Sequence, residues 1–215
     1  MTVSPARRGR AVATLYAIHD AFRRDAARLM TAASDEHASR NPAVRAGWEV
    51  LKGYLSIQHG AEELALWPAV RTGLAAAGRP PAPLAALRGE RARLGDLAEE
   101  IERTLSGSRR SPVRPHMEDF CISLLAHLGH EEAELFPPAL ALLDRRDWLA
   151  YDRERRRRVG REGLASFYPW LLDGAPEPTR RHMLRLLSPP QRFAYHFTWR
   201  PRYERTAPWH YSSMP

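Results

Sequence analysis

Two stretches of the sequence repeat one pattern, HGAEELALWP at residues 59–68 and HLGHEEAELFP at residues 127–137. In both stretches a histidine precedes a glutamate by one helical turn, as His59 precedes Glu62 or Glu63 and His127 precedes Glu131. In both, the first glutamate of a Glu-Glu pair lies six residues before a proline. A histidine and a carboxylate at this spacing share one face of a helix and can bind the same metal ion. The repeat therefore predicts two helices that each contribute ligands to a metal site.

Apolar residues recur with the period of a helix in four segments of the first 144 residues. The segments cover residues 11–33, 43–70, 84–106 and 113–143. We expect Pro68 and the loop after it to end the second segment. No segment alternates with period two over a useful length, so a sheet is not expected. Four helices with short connections predict an all-α fold, an antiparallel four-helix bundle.

Each of these segments turns a polar side chain toward its apolar stripe. His19 lies near the centre of the first stripe, Arg91 lies in the middle of the third, and Glu131 points inward in the fourth. Burying an unpaired charge costs on the order of several kcal/mol, so an ordinary core does not collect such residues. His19 is thus a further candidate ligand from a third helix. Nitrogen and oxygen donors without thiolate suit iron or manganese, with zinc possible.

The second segment leaves two glutamates open as the partner of His59. Glu62 is favoured because it points toward the apolar stripe and because the prolines of the two repeats align with it. Glu63 is favoured by simple i, i+4 spacing from His59. Both glutamates stay candidates for the metal site.

The composition excludes several classes of protein. The single cysteine, Cys121, cannot form an intramolecular disulfide or a thiolate metal cage. The net charge is +8, but residues 1–144 hold 18 basic and 18 acidic residues, so the bundle is neutral and nucleic acid is not expected as a partner. No stretch approaches the roughly 20 apolar residues of a membrane helix, and no leader is recognisable. We therefore expect a cytoplasmic protein with no membrane partner.

Residues 145–215 differ in character from the rest of the chain. They hold 15 basic and 7 acidic residues, with four of the six tryptophans and five of the seven tyrosines. We predict a bundle of residues 1–144 and a helical extension of residues 145–215 that packs on it. An arginine-rich outer face with an aromatic inner face is favoured over a surface for an acidic partner. The oligomeric state does not follow from the sequence.

The chain resembles the hemerythrin-like (HHE cation-binding) family over about residues 11–143. The resemblance rests on His19-Asp20, the runs at residues 59–68 and 127–137, and Gly89-Glu90-Arg91. It implies a four-helix bundle around a non-haem iron pair. It nominates as ligands His19, His59, Glu62 or Glu63, His127 and Glu131. It also implies oxygen binding, peroxide or nitric oxide chemistry, or iron handling.

Two positions depart from the pattern of that family. Arg91 stands where relatives usually carry a histidine of the third helix, and Gln58 stands where they often carry the first of two histidines. Arginine cannot bind a metal and stays charged. Either Arg91 replaces the second cation and leaves one iron or none, or it extends to a bundle end while five ligands hold two ions.

Three functions are compatible with these residues. The first is a non-haem iron protein that binds or reduces a small diatomic molecule or a peroxide. The second is an iron-dependent oxidase or oxygenase with an organic substrate, which a pocket between bundle and extension would support. The third is a metal-free bundle that uses Arg91 to bind an anion.

Overall fold

The computed structural model describes residues 5–35, 38–107 and 112–209. All regular elements in these ranges are helical, which confirms the predicted all-α fold. The α-helices are α1 (Pro5–Ala32), α2 (Pro42–Ala61), α3 (Trp67–Ala76), α4 (Ala82–Ser106), α5 (Arg114–His130), α6 (Phe136–Leu142), α7 (Arg145–Leu172), α8 (Glu177–Arg185), α9 (Pro189–Ala194) and α10 (Arg200–Thr206). A short 3-10 helix spans Ala38–Arg40. None of the helices in these three ranges is long and apolar enough to cross a membrane.

Three π-helical turns join successive helices without a loop. They are π1 (Glu62–Leu66), π2 (Glu131–Leu135) and π3 (Tyr195–Trp199). Each turn ends two residues before a proline, namely Pro68, Pro137 and Pro201. A proline inside a helix lacks the N–H and collides with the carbonyl one turn earlier, and a widened turn accommodates the ring. The second segment therefore does not end near Pro68 as expected, because π1 lets the helix continue to Ala76.

Four rods form the bundle: α1, the run from α2 to α3, α4, and the run from α5 to α6. Contacts between the second and third rods show that they run in opposite directions. Trp48 of α2 donates to the Glu102 carboxylate at 2.7 Å, while Glu62 farther along accepts from Arg91, earlier in α4. The first and fourth rods also run in opposite directions, because His19 contacts Glu132 while Ala26, later in α1, contacts Cys121, earlier in α5. The third and fourth predicted segments coincide with their rods to within two residues, whereas the first rod begins six residues earlier and the second ends six residues later than predicted.

The extension contacts the bundle mainly through α7, which lies against α1, α2 and π1. A capping box of Asp144 and Asp147 begins this helix, and the chain breaks its helical path at Gly160, where φ is +73°. Beyond the break, the buried Trp170 donates to Asp25 of α1 at 2.7 Å. The division into two domains at residue 144 stays a prediction, since both parts supply residues to the same hydrophobic clusters.

Two hydrophobic clusters fill the interior, and the polar candidates lie between them. The first contains Phe22, Leu55, Leu124 and Trp170 among others, and the second contains Leu15, Leu66, Leu135 and Tyr151 among others. His19 lies between Leu15 and Phe22 along α1, so it separates the two clusters. The bundle thus has an apolar layer on each side of a polar layer. Because the apolar side chains of both clusters are buried, they determine where along the bundle axis the polar side chains meet.

Candidate metal centre

The polar layer contains five of the six side chains proposed as ligands. His19, Glu62, His127 and Glu131 are no more than 1 % exposed. His59 is half-buried, but its Nε2 atom is shielded from solvent. They come from α1, α2, π1, α5 and π2, and so from three of the four rods. Such a concentration of ionisable groups inside a core costs free energy unless the groups are paired or bind an ion.

The Nε2 atoms of His19, His59 and His127 are buried without a hydrogen-bond partner in the described residues. The two nearest approaches are to Glu131, whose carboxylate oxygens lie 3.4 Å from Nε2 of His19 and 3.3 Å from Nε2 of His127. A buried nitrogen without a hydrogen bond costs about 1–3 kcal/mol, so three in one layer are unusual. Glu131 offsets part of this cost for two of them by its charge, and the third, in His59, is without such a contact among those described. A neutral imidazole nitrogen is a common metal ligand in proteins.

The Nδ1 atoms of two of these histidines are held by carboxylates. Nδ1 of His19 lies 2.8 Å from Glu132, and Nδ1 of His127 lies 2.8 Å from Glu90. A carboxylate on one ring nitrogen orients the ring and makes the other nitrogen a better metal donor. We did not predict Glu132 or Glu90 from the sequence. Only one feature of the sequence could have indicated them: each is the direct neighbour of a residue predicted to point inward, Glu131 or Arg91.

His19, Glu62 and Glu131 each offer one ligand atom, and these three atoms lie within 4.8 Å of one another. Glu63 lies elsewhere: it is 51 % exposed, and its carboxylate is 3.6 Å from Arg88. Neighbouring helical residues point about 100° apart, so Glu62 and Glu63 cannot both face the same core. The structure turns Glu62 inward at the start of π1. Whether either glutamate binds a metal stays a prediction.

Arg91 enters the same layer from α4. Its guanidinium donates to Glu131 at 2.8 Å and also to Glu62, and a second nitrogen donates to the His59 carbonyl at 3.3 Å. The ring of Trp67 lies 5.8 Å from the guanidinium carbon. The side chain is only 13 % exposed, so it does not extend to an end of the bundle. Of the two roles considered for Arg91, the structure favours that of a fixed internal cation.

Gln58 also faces this layer, one helical turn before Glu62. It is 2 % exposed, and its amide nitrogen donates to the Glu62 carboxylate. The same nitrogen lies 2.9 Å from the hydroxyl of Tyr151, and the amide oxygen lies 3.2 Å from that hydroxyl. Tyr151 belongs to α7, in the extension. Sequence reasoning did not connect Tyr151 to the site, because no local pattern shows which tail residue reaches the bundle core.

The charges within the layer shift the pKa values of its members. Burial lowers the pKa of His19, but the contacts of its ring with Glu131 and Glu132 outweigh burial and raise that pKa to about 9. Burial and the nearby Arg91 lower the pKa of His59 to about 3, so this imidazole is neutral. Burial and repulsion from Glu131 raise the pKa of Glu62. Burial opposes ionisation of Glu131, yet its contacts with His127 and His19 hold its pKa well below the usual value.

The donor set fits a metal cation. Three shielded imidazole nitrogens and two buried carboxylates converge in one layer, and the set contains no thiolate. Two of the donors begin π turns, which often mark functional sites in helices. The third such turn, π3, begins with Tyr195 and contributes no donor to this layer, so a π turn alone does not mark a metal site.

A comparison with family models agrees with this geometry. The model of the hemerythrin HHE cation-binding domain matches residues 10–139, which is more than half of the chain. No curated protein and no solved structure matches the sequence significantly. Domains of this family are helical and bind metal cations, usually iron, so the resemblance inferred from the sequence is confirmed. The matched range contains every donor of the polar layer, and the chain belongs to the hemerythrin HHE cation-binding family.

Proposed function

We propose that this protein is a non-haem iron protein that binds or processes O2, peroxide or NO in the core of its bundle. The single observation that carries the proposal is the set of three buried, unpartnered Nε2 atoms beside two buried carboxylates. His19, Glu62 and Glu131 would hold the metal, with His59 and His127 as the further nitrogen donors. Manganese or zinc would be accepted by the same donor types. Iron bound there would supply a redox centre and a Lewis acid.

Arg91 supports a centre with one ion rather than two. Its guanidinium contacts both Glu62 and Glu131, so it already neutralises part of the negative charge that would hold a second cation. A second divalent ion would add to a fixed positive charge inside a region of low dielectric constant, where like charges repel strongly. We therefore propose one iron per chain, with Arg91 in the electrostatic role of the second.

The space beside Arg91 favours a small ligand over an organic substrate. A cleft of about 20 Å³ opens there, lined by Glu63, Trp67, Pro68, Arg71, Leu84, Leu87, Arg88 and Arg91. A volume of roughly 10–15 Å³ accommodates one water-sized molecule, whereas pockets for larger organic ligands measure about 300–1,000 Å³. The cleft is thus too small for an organic substrate, and it reaches the polar layer only at Arg91, since none of the five donors of that layer lines it. The role of Arg91 as a binding site for an external anion is not favoured, because two carboxylates of the chain already bind it.

The test is metal quantitation after anaerobic reconstitution with Fe(II) and removal of unbound iron. We expect one iron per chain in the wild type, and loss of most of it in His19→Ala and His127→Ala. His116→Ala is the matched control, because His116 lies nearly three turns before His127 on α5. Two ions in the wild type would contradict the role given to Arg91. No bound iron, or equal binding by all variants, would contradict the site itself.

A further inference from the structure

We propose that Tyr151 is a positioning residue of the metal centre, so that the C-terminal extension completes a site that the bundle otherwise builds. Tyr151 acts through Gln58, whose amide holds the Glu62 carboxylate. This inference rests on the proposed function, since it concerns a donor of the same centre. It adds a contribution from outside the matched range, residues 10–139.

Tyr151 and Gln58 are joined by hydrogen bonds in the core. Tyr151 is 2 % exposed, and α7 inserts it into the second hydrophobic cluster. Its hydroxyl faces both ends of the Gln58 amide, at 2.9 Å from the nitrogen and 3.2 Å from the oxygen. The hydroxyl can accept from the nitrogen and donate to the oxygen, so it holds this edge of the amide in place, while the Glu62 carboxylate, which only accepts, determines which end is the nitrogen. Burial raises the pKa of Tyr151, so its hydroxyl keeps its proton.

Gln58 in turn holds the Glu62 carboxylate by a hydrogen bond. These residues are one turn apart, and the Gln58 nitrogen uses its second hydrogen on Oε1 of Glu62. Arg91 binds the other carboxylate oxygen, Oε2. The orientation of this carboxylate is therefore set by Gln58 on one side and Arg91 on the other. Without Tyr151, the Gln58 amide would lose the hydrogen bonds that hold it on the side away from Glu62.

Gln58 and Tyr151 form a buried polar pair at a position where apolar residues would also fit. A phenylalanine and a leucine would fill the same volume without the cost of burying a hydroxyl and an amide. The hydrogen bonds among Tyr151, Gln58 and the Glu62 carboxylate offset the free-energy cost of burying these polar groups. Partners of this kind orient metal ligands, and their removal typically weakens metal binding about 10- to 100-fold.

The geometry of α7 keeps Tyr151 at this place. The helix is anchored at its start by the Asp144 capping box and lies directly against α2 and π1. Arg158, two turns after Tyr151, approaches Gly60 so closely that a side chain there would collide with it. The extension is thus in contact with the bundle immediately beside His59 and Glu62.

The experiment titrates full-length protein with Co(II), whose visible bands report the geometry of its ligands, and compares Tyr151→Phe with the wild type. Tyr168→Phe is the matched control, because Tyr168 is a buried tyrosine of α7 beyond the break at Gly160 and has no contact with Gln58 among the described hydrogen bonds. We expect about tenfold weaker Co(II) binding and a shifted visible spectrum in Tyr151→Phe only. Circular dichroism establishes that both variants are folded.

A double-mutant cycle with Gln58→Met separates positioning from packing. If Tyr151 acts through Gln58, each single variant weakens Co(II) binding and the double variant is little worse than Gln58→Met alone. Unchanged affinity and spectrum in Tyr151→Phe, or fully additive losses, would overturn the inference while leaving the metal centre intact. Failure of the wild type to bind Co(II) or Fe(II) would overturn both this inference and the proposed function.

Discussion

Replacing Arg91 by methionine tests the electrostatic structure of the core. Methionine keeps an unbranched apolar stem against Trp67 but removes the charge that contacts Glu62 and Glu131. These two carboxylates are 0 and 1 % exposed, so the variant leaves Glu62 buried beside Glu131 without its cation, while Glu131 keeps its contacts with two histidines. We expect the metal-free variant to be much less stable than the wild type.

The size of the effect follows from the burial of the three groups. Removing one partner of a buried ion pair costs about 3–5 kcal/mol. For a chain of this size each kcal/mol lowers the Tm by about 2–4 °C, so the expected decrease is roughly 6–20 °C. The pKa of Glu62 is already raised by burial and by Glu131, and loss of Arg91 raises it further. Because protonation of Glu62 relieves the repulsion, the free-energy loss grows as the pH rises, and it is larger at pH 8 than at pH 6.

The assay is thermal and urea denaturation of metal-free protein at both pH values, followed by the same measurement with Fe(II) under anaerobic conditions. A cation bound between the carboxylates substitutes for the lost charge, so added Fe(II) stabilises Arg91→Met more than it stabilises the wild type. Arg88→Met is the matched control: Arg88 is 62 % exposed and lies 3.6 Å from Glu63, a pair worth about 1 kcal/mol or less. A loss in Arg91→Met no larger than that in Arg88→Met would refute the reasoning.

Three further predictions concern parts of the fold outside the polar layer. Cys121 is fully buried, and burial raises the pKa of its thiol to about 12, so iodoacetamide at pH 8 should not modify the folded protein. Gly160→Ala should cost about 1–3 kcal/mol, because φ of +73° with ψ of 168° is a conformation essentially restricted to glycine. Trp170→Phe should cost about 1–3 kcal/mol, since it leaves the buried Asp25 carboxylate without its indole donor.

Each of these has a simple control. Cys121 should react at once in urea, and rapid labelling of the native protein would contradict its burial. Gly95→Ala, at an open helical position on α4, should be neutral or stabilising, so an equal loss at both glycines would contradict the argument from backbone conformation. Trp199→Phe, at a half-buried tryptophan of π3, should cost less than Trp170→Phe in urea denaturation.

The sequence predicted the four rods well because each buries one continuous stripe of apolar side chains. It was less successful at Pro68, where α3 continues to Ala76. The same six-residue spacing before a proline occurs in π1, π2 and π3, so a widened turn could have been expected at each. In π1 and π2 the turn begins with a glutamate, whereas in π3 it begins with Tyr195. Pro169 lies inside α7 without such a turn, so a proline favours a widened turn but does not dictate it.

The donor types were also predictable, because helical spacing alone places a histidine and a glutamate on one face. Spacing left open which of Glu62 and Glu63 points inward, and the structure turns Glu62 inward at the start of π1, while metal binding by either stays a prediction. The partners of the histidines were missed for a different reason. Glu132 reaches His19, and Glu90 reaches His127, from other helices. Such contacts depend on how rods are rotated against each other, which a periodic pattern in one helix does not contain.

By itself the sequence determined the all-α class, the four rods, the neutral core with its inward histidines and glutamates, and the family. These follow from local periodicity and from residue types at fixed spacing. Only the tertiary structure decided that Arg91 stays inside and bridges Glu62 to Glu131, and that Tyr151 of the extension reaches Gln58. Both are contacts between residues 29 to 93 positions apart. They form because the buried carboxylates must find a positive charge and hydrogen-bond donors wherever packing brings them within reach.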